Sequence, residues 1–218
     1  MIEMLNEDCM AVMACYPDNY FDLAIVDPPY GIGIGEFKPV GGRGEDSKDS
    51  KKWDDSPSKE YFIELKRVSN EQIVWGANYF NCFSGKMGAI IWDKLQPLED
   101  SSQCEIASYS RLKKVGKYTQ RWTNFVNTKS TNHPTEKPVA LYKWLLQNYA
   151  KPGDKILDTH GGSGSICIAC YDEGFDLTWT ELDKDYYDAA VKRFNNHKAQ
   201  GRLFKPEAKT ITQNKLEL

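Results

Sequence analysis

A short apolar strand that ends in an acid and runs directly into glycines most narrows the folds open to this chain. In "DKILDTHGGSGSICIA", Ile156 and Leu157 lead to Asp158, and Gly161, Gly162 and Gly164 let the backbone turn close to a ligand before a helix begins. Twenty-three residues after Asp158 the next apolar run ends at Glu181, in "TWTELD". In a doubly wound sheet two such turns lie side by side at the carboxyl edge of the strands, where ligands bind. An acid at the end of the second strand commonly takes ribose hydroxyls. The pair reads either as a nucleoside-cofactor site or as an ordinary strand-to-helix turn. A dinucleotide matches less well than a nucleoside. The G-x-G-x-x-G pattern would need glycine where Cys167 stands, and no arginine in the turn meets a pyrophosphate.

The rest of the chain alternates apolar runs with helical patterns, the signature of βα units and a mostly parallel sheet. "MIEML", "FDLAIV", "QIVWGAN", "GAIIWDK" and "EIASYSR" read as strands, and "KILD" and "FDLTWTELD" follow. "CMAVMACY", "EYFIELKRVS", "VALYKWLLQNYA", "ICIACYDEG" and "KDYYDAAVKRFNNH" read as helices, with Pro138 suited to the first turn of the third. At 218 residues the chain is long enough for one sizeable α/β domain and too short for two ordinary ones. The expected division is a doubly wound α/β domain over 1–197 and a polar tail over 198–218. Residues 31–58 form a long glycine-rich, charged loop, and about 94–132 form a small basic segment. A loop of that length inside a compact domain is usually functional or disordered.

Composition excludes few functions. Apolar residues at 40% and charged residues at 27% fit a soluble globular protein, and no apolar run approaches the roughly 20 residues of a membrane span. "MIEMLNEDCM" lacks the basic start and apolar core of a signal peptide, so the expected compartment is the cytoplasm. Cys167 and Cys170 form a C-x-x-C among apolar neighbours, with no second pair or His cluster at zinc spacing, and read as small core residues on one helix face. The net charge of −3 hides an asymmetry: residues 106–151 hold nine basic residues and one acid, +8 against −11 for the remainder. Tyr109, Tyr118, Trp122 and Phe125 lie among those charges. Such a stretch is either a nucleic-acid footprint, with phosphates on the cations and bases on the rings, or a solvated lysine-rich surface.

One more motif remains. The buried run "FDLAIV" ends in Asp27-Pro28-Pro29-Tyr30, a carboxylate, two stiff residues without backbone donors, and a ring. Taken alone it is a rigid turn capping a strand. Together with "LDTHGGSGS" and "HPTEKP" it resembles the DNA amino-methyltransferases that use S-adenosylmethionine, with the motifs in the order of the β arrangement. The resemblance runs from about Asp8 to about Phe194 and implies a Rossmann-like methyltransferase fold with permuted motif order. It further implies that Asp158, Gly161, Gly162, Ser163 and Gly164 cradle the methionine part of the cofactor and Glu181 its ribose. Asp8 and Cys9 would stand at the adenine, and Thr135 and Lys137 at the carboxylate end. Without the resemblance, Lys137 is a helix-start lysine in solvent. Asp27 counts with the cofactor residues too. His160 departs from the family, where phenylalanine is usual; an imidazole can fill the same space.

The resemblance places the chemistry at Asp27, Pro28, Pro29 and Tyr30. The exocyclic amine of adenine is a poor nucleophile because its lone pair is delocalised. Asp27 would accept one amine hydrogen and the Pro28 carbonyl the other, localising the lone pair and offsetting the developing positive charge. Tyr30 would stack on the base, flipped from double-stranded DNA. Adenine N6 is favoured over cytosine N4 because the related cytosine enzymes more often carry serine where Asp27 stands. Other readings are a DNA-binding relative without activity and a small-molecule or RNA methyltransferase. The resemblance permits a homodimer, and no restriction endonuclease partner is determinable.

Overall fold

The apolar runs that read as strands pack into the core of one sheet. Five of the six residues of β2 (Phe21–Val26) are buried, and β3 (Ser69–Trp75) and β7 (Lys155–Asp158) are nearly as dry. This is expected of parallel strands covered by helices on both faces. The computed structural model describes residues 1–32, 55–82, 87–95, 102–111, 114–121 and 136–200. Around the central strands, β1 (Ile2–Leu5), α1 (Cys9–Ala14), α2 (Lys59–Val68), β4 (Gly88–Asp93), β5 (Cys104–Tyr109) and β6 (Val115–Thr119) complete the first half. The second half is α3 (Val139–Tyr149), β7, α4 (Ser165–Glu173), β8 (Asp176–Thr180) and α5 (Lys184–Ala199).

The strands line up as β1-β8-β7-β2-β3-β5-β4-β6, and every neighbouring pair is parallel except the two that involve β5. Side chains alternate between two helical layers, as the period of a strand requires. Leu23 and Ile25 face the layer of α3, α4 and α5, while Ala24 and Val26 face that of α1 and α2. Cys167 and Cys170 sit wholly inside the first layer.

From β2 the chain crosses over α2 to β3 on one side, and from β7 over α4 to β8 on the other. β2 and β7 are therefore neighbours at a topological switch point, the place where such sheets bind ligands. Leu23 pairs with Ile156 and Ala24 with Leu157, so Asp27 and Asp158 leave adjacent strands at the same edge. Two details differ from the sequence reading. Pro138 caps α3 from just outside instead of entering its first turn, and "VGKYT", read as part of the basic stretch, is the edge strand β6.

Candidate active site

At the end of β2, Pro28 and Pro29 cannot donate to a neighbouring strand, so the sheet stops at Asp27. Both oxygens of the Asp27 carboxylate are engaged. Oδ1 accepts from the Tyr30 hydroxyl at 2.6 Å, and Oδ2 meets the Lys137 ammonium. Lys137 is only 4% exposed. Its Nζ lies 3.0 Å from Glu105 Oε2, and Glu105 Oε1 lies 2.6 Å from Lys94 Nζ. Cations and anions thus alternate along Lys94, Glu105, Lys137 and Asp27. Burial pushes the Lys137 ammonium down, but the Asp27 and Glu105 charges outweigh it and hold lysine above its usual range. Burial likewise pushes Glu105 up, and Lys137 and Lys94 outweigh it, leaving that carboxyl below its usual range. The Tyr30 ring stacks on Tyr79, with centroids 4.9 Å apart and 20° between planes, and meets Phe80 edge-on at 5.8 Å. Burial and the Asp27 charge push the Tyr30 hydroxyl far up, so it stays a donor.

Asp158, at the end of β7, is 2% exposed. Burial, together with the Asp27 and Glu181 charges, pushes its carboxyl up to about 8, against a His160 N–H at 3.1 Å and the Lys137 charge. The turn that follows is pinned to β8: Gly161 N–H donates to the Thr180 carbonyl at 2.9 Å, and Gly162 N–H to Glu181 Oε2 at 2.8 Å. Glu181 Oε1 accepts from Asp183 N–H at 2.9 Å, and burial pushes the carboxyl up. At Gly161 a Cβ would fall 1.8 Å from the Trp179 ring, so no side chain fits between turn and strand. Gly164 takes a left-handed φ of +72° to start α4.

Thr159 Oγ1 lies 2.6 Å from the Tyr61 hydroxyl and 3.0 Å from His160 Nδ1. Burial pushes His160 down to about 4, which leaves it neutral at pH 7, and its ring meets Tyr61 edge-on. An imidazole thus takes aromatic packing at this position. Asp8 caps α1, accepting from Met10 N–H at 2.9 Å and Ala11 N–H at 3.2 Å. The Asp8 charge reaches His160 and that of Glu181 reaches Cys9, whose thiol is pushed to about 11 by burial and Asp8.

The family model for N6/N4 enzymes, described as DNA methylase, matches residues 70–192. The chain belongs to the N6/N4 DNA methylase family. It is 26% identical over 207 residues to the candidate methylase YubD of Escherichia coli K12, covering 88% of this chain and 90% of that one. The fold is shared with M1.HpyAVI, solved as a complex with S-adenosylmethionine: TM-score 0.61 at 18% identity, over 88% of this chain and 100% of that one. It is shared as well with PvuII DNA methyltransferase, a cytosine-N4-specific enzyme: TM-score 0.58 at 13% identity, over 88% of this chain and 86% of that one. Members of the family use S-adenosylmethionine as methyl donor.

In this N6/N4 methylase, Asp27, Tyr30, Asp158, His160, Gly161, Gly162 and Glu181 lie at one edge of the sheet, where adjacent strands end. Ser163 follows in the same turn, its carbonyl held at 2.9 Å by Arg193. Lys137 is not the solvent lysine that a bare helix start would offer: it is buried, against Asp27 and Glu105. Thr135, residues 33–54 of the long loop, and much of 94–132 lie outside the described residues, as do Trp122 and Phe125. Arg111 pairs with Glu71 at 2.5 Å, Lys117 with Asp93 at 2.8 Å and Lys143 with Asp172 at 2.7 Å, so the basic stretch presents less free charge than its count suggests.

Sequence reasoning missed Glu105, Lys94 and Arg193. Arg193 reaches from α5 to the Ser163 carbonyl and, at 2.6 Å, to Glu136 Oε1, so one guanidinium clamps the glycine turn to the residue before Lys137. A single acid within the otherwise uncharged "CEIASY" was the one signal for Glu105. Only β5 running against the other strands returns it to the edge where Asp27 lies.

Proposed function

We propose that this chain transfers a methyl group from S-adenosylmethionine to the N6 amine of adenine in a short DNA target, with the base flipped out of the duplex. The observation that carries the reading is an aspartate, not a serine, held between a hydroxyl and an ammonium at the end of β2, one strand from the Asp158 turn.

The residues fit the cofactor. Each Glu181 oxygen takes one backbone N–H and keeps lone pairs for ribose hydroxyls. Asp158 offers a buried acid to the amino-acid end, and the turn at Gly161 admits no side chain. Ser163, Gly164 and Thr135 complete that end, while Asp8, Cys9 and His160 line the adenine. Bound there, S-adenosylmethionine supplies an electrophilic methyl group. Everything else falls to the protein. Asp27 Oδ and the Pro28 carbonyl accept the two amine hydrogens, which returns lone-pair density to nitrogen and stabilises the charge that develops on it. The prolines hold both acceptors at a fixed angle. Tyr30, backed by Tyr79, stacks on the flipped base, whose extrusion costs a few kcal/mol. In this reading residues 1–197 are the catalytic domain, and 31–58 and about 94–132 are the segments assigned to DNA contact.

The test is incubation with labelled cofactor and duplex DNA of mixed sequence, digestion to nucleosides and mass spectrometry. N6-methyladenine is the expected product. N4-methylcytosine alone would move the chain to the cytosine branch, and tight DNA binding without transfer would make it a binding module.

A further inference from the structure

We propose that Lys137 is a positioning residue for Asp27, and that Glu105, backed by Lys94, keeps Lys137 charged and aimed at it. The inference rests on the reading of Asp27 as the acceptor of an amine hydrogen. For that task Asp27 must remain a carboxylate, because a protonated carboxyl turns a donor toward the amine. It shares this part of the sheet edge with two other acids, Asp158 and Glu105. Among the described residues, the cation that touches Asp27 is Lys137, and it fills Oδ2 while Tyr30 fills Oδ1.

A buried ammonium sheds its proton unless anions compensate. Lys137 faces Asp27 and Tyr30 beyond β2, the Trp75 ring of β3 at 5.3 Å, Glu105 on β5, Tyr142 on α3 and Asp158 at the end of β7. Glu105 at 3.0 Å is the second anion in direct contact, and Lys94 in turn holds the far oxygen of Glu105 at 2.6 Å. The backbone on both sides is fixed as well. Glu136 is tied to Arg193, and Pro138 restricts the conformation of Lys137 while starting α3. Two cations and two anions form a neutral chain that ends on the acceptor oxygen.

The test is the pH profile of DNA methylation by the full chain. In Lys137→Met the loss of activity on the acid side moves up by about one pH unit or more relative to wild type. In Glu105→Gln the loss on the alkaline side moves down by a similar amount, with cofactor affinity unchanged in calorimetry. Opposite limbs moving in the two variants is the signature. A uniform fall in rate with both limbs in place, or a wild-type profile in Glu105→Gln, overturns the proposal. Glu105→Gln keeps the side-chain shape and carries the test if Lys137→Met does not fold. A second readout needs no substrate: the carbon-13 signal of Lys137 in lysine-labelled protein, assigned against Lys137→Arg. It should titrate above ordinary lysine in wild type and at lower pH in Glu105→Gln. An unmoved titration refutes the role of Glu105 even if wild type transfers no methyl to DNA, a result that would end the proposed function instead.

Discussion

In the function proposed above, Asp27 and Glu181 divide the work of the site, and single substitutions separate them. Asp27→Ala removes the acceptor but leaves the Asp158 turn and Glu181 in place, so methyl transfer should fall by about 10²–10³-fold or more while calorimetry shows cofactor binding retained. Unchanged turnover would remove Asp27 from the chemistry. Glu181→Ala deletes an acidic hydrogen-bond acceptor and frees Gly162 N–H. It should weaken cofactor binding by about 1.5–3 kcal/mol, roughly tenfold or more; an unaltered binding isotherm would dismiss Glu181 from the ribose. Asp27, Asp158 and Glu181 were legible in the sequence because each follows a buried strand, and the ends of such strands share one edge of the sheet. The pairing of Lys137 with Asp27 was not. Lys137 lies 110 residues further along the chain, and only the packing of α3 over β5 brings its amine to the carboxylate.

At the scale of elements, what packs tightly was visible and what merely borders solvent was not. Strands with continuous apolar runs emerged from sequence with bounds close to those observed, whereas β6 shows its side chains alternately to solvent, leaves Val115 66% exposed and carries no apolar run. It is an edge strand, and edges are built to look unlike core. The glycine turn gives the sharpest prediction at this scale. In Gly161→Ala the new Cβ would overlap the Trp179 ring at 1.8 Å, forcing turn or ring to move. Overpacking of this kind costs about 1–3 kcal/mol, read as a lower urea midpoint, and cofactor affinity should fall with it because the turn is pinned to Glu181. Asp183→Ala is the contrast. Its carboxylate caps α5, accepting from Asp185 N–H at 2.9 Å and Tyr186 N–H at 3.1 Å, while its own N–H serves Glu181. Losing the cap should cost about 1 kcal/mol of stability and leave cofactor binding as it was, since the N–H remains.

For the molecule as a whole, the switch point concentrates acid in a dry place. Asp27, Asp158 and Glu181 converge there because parallel strands end together, and burial with their mutual repulsion pushes Asp158 up to about 8. In the unfolded chain an aspartate titrates near 4. Between those values the folded protein holds a proton that the unfolded chain has released, so this contribution to stability is complete below about pH 4 and declines as pH rises to about 8. Asp158→Asn, uncharged at every pH, should therefore gain stability relative to wild type as pH goes from 5 to 8.5, followed as the difference between the two melting temperatures. The same linkage couples folding to function. A cationic ammonium placed beside Asp158 favours its ionised form, so binding S-adenosylmethionine near pH 7 should release a proton. Calorimetry in buffers of different ionisation enthalpy measures that proton directly, and it should vanish in Asp158→Asn. Proton release that persists in the variant would assign the linkage to another acid of the cluster.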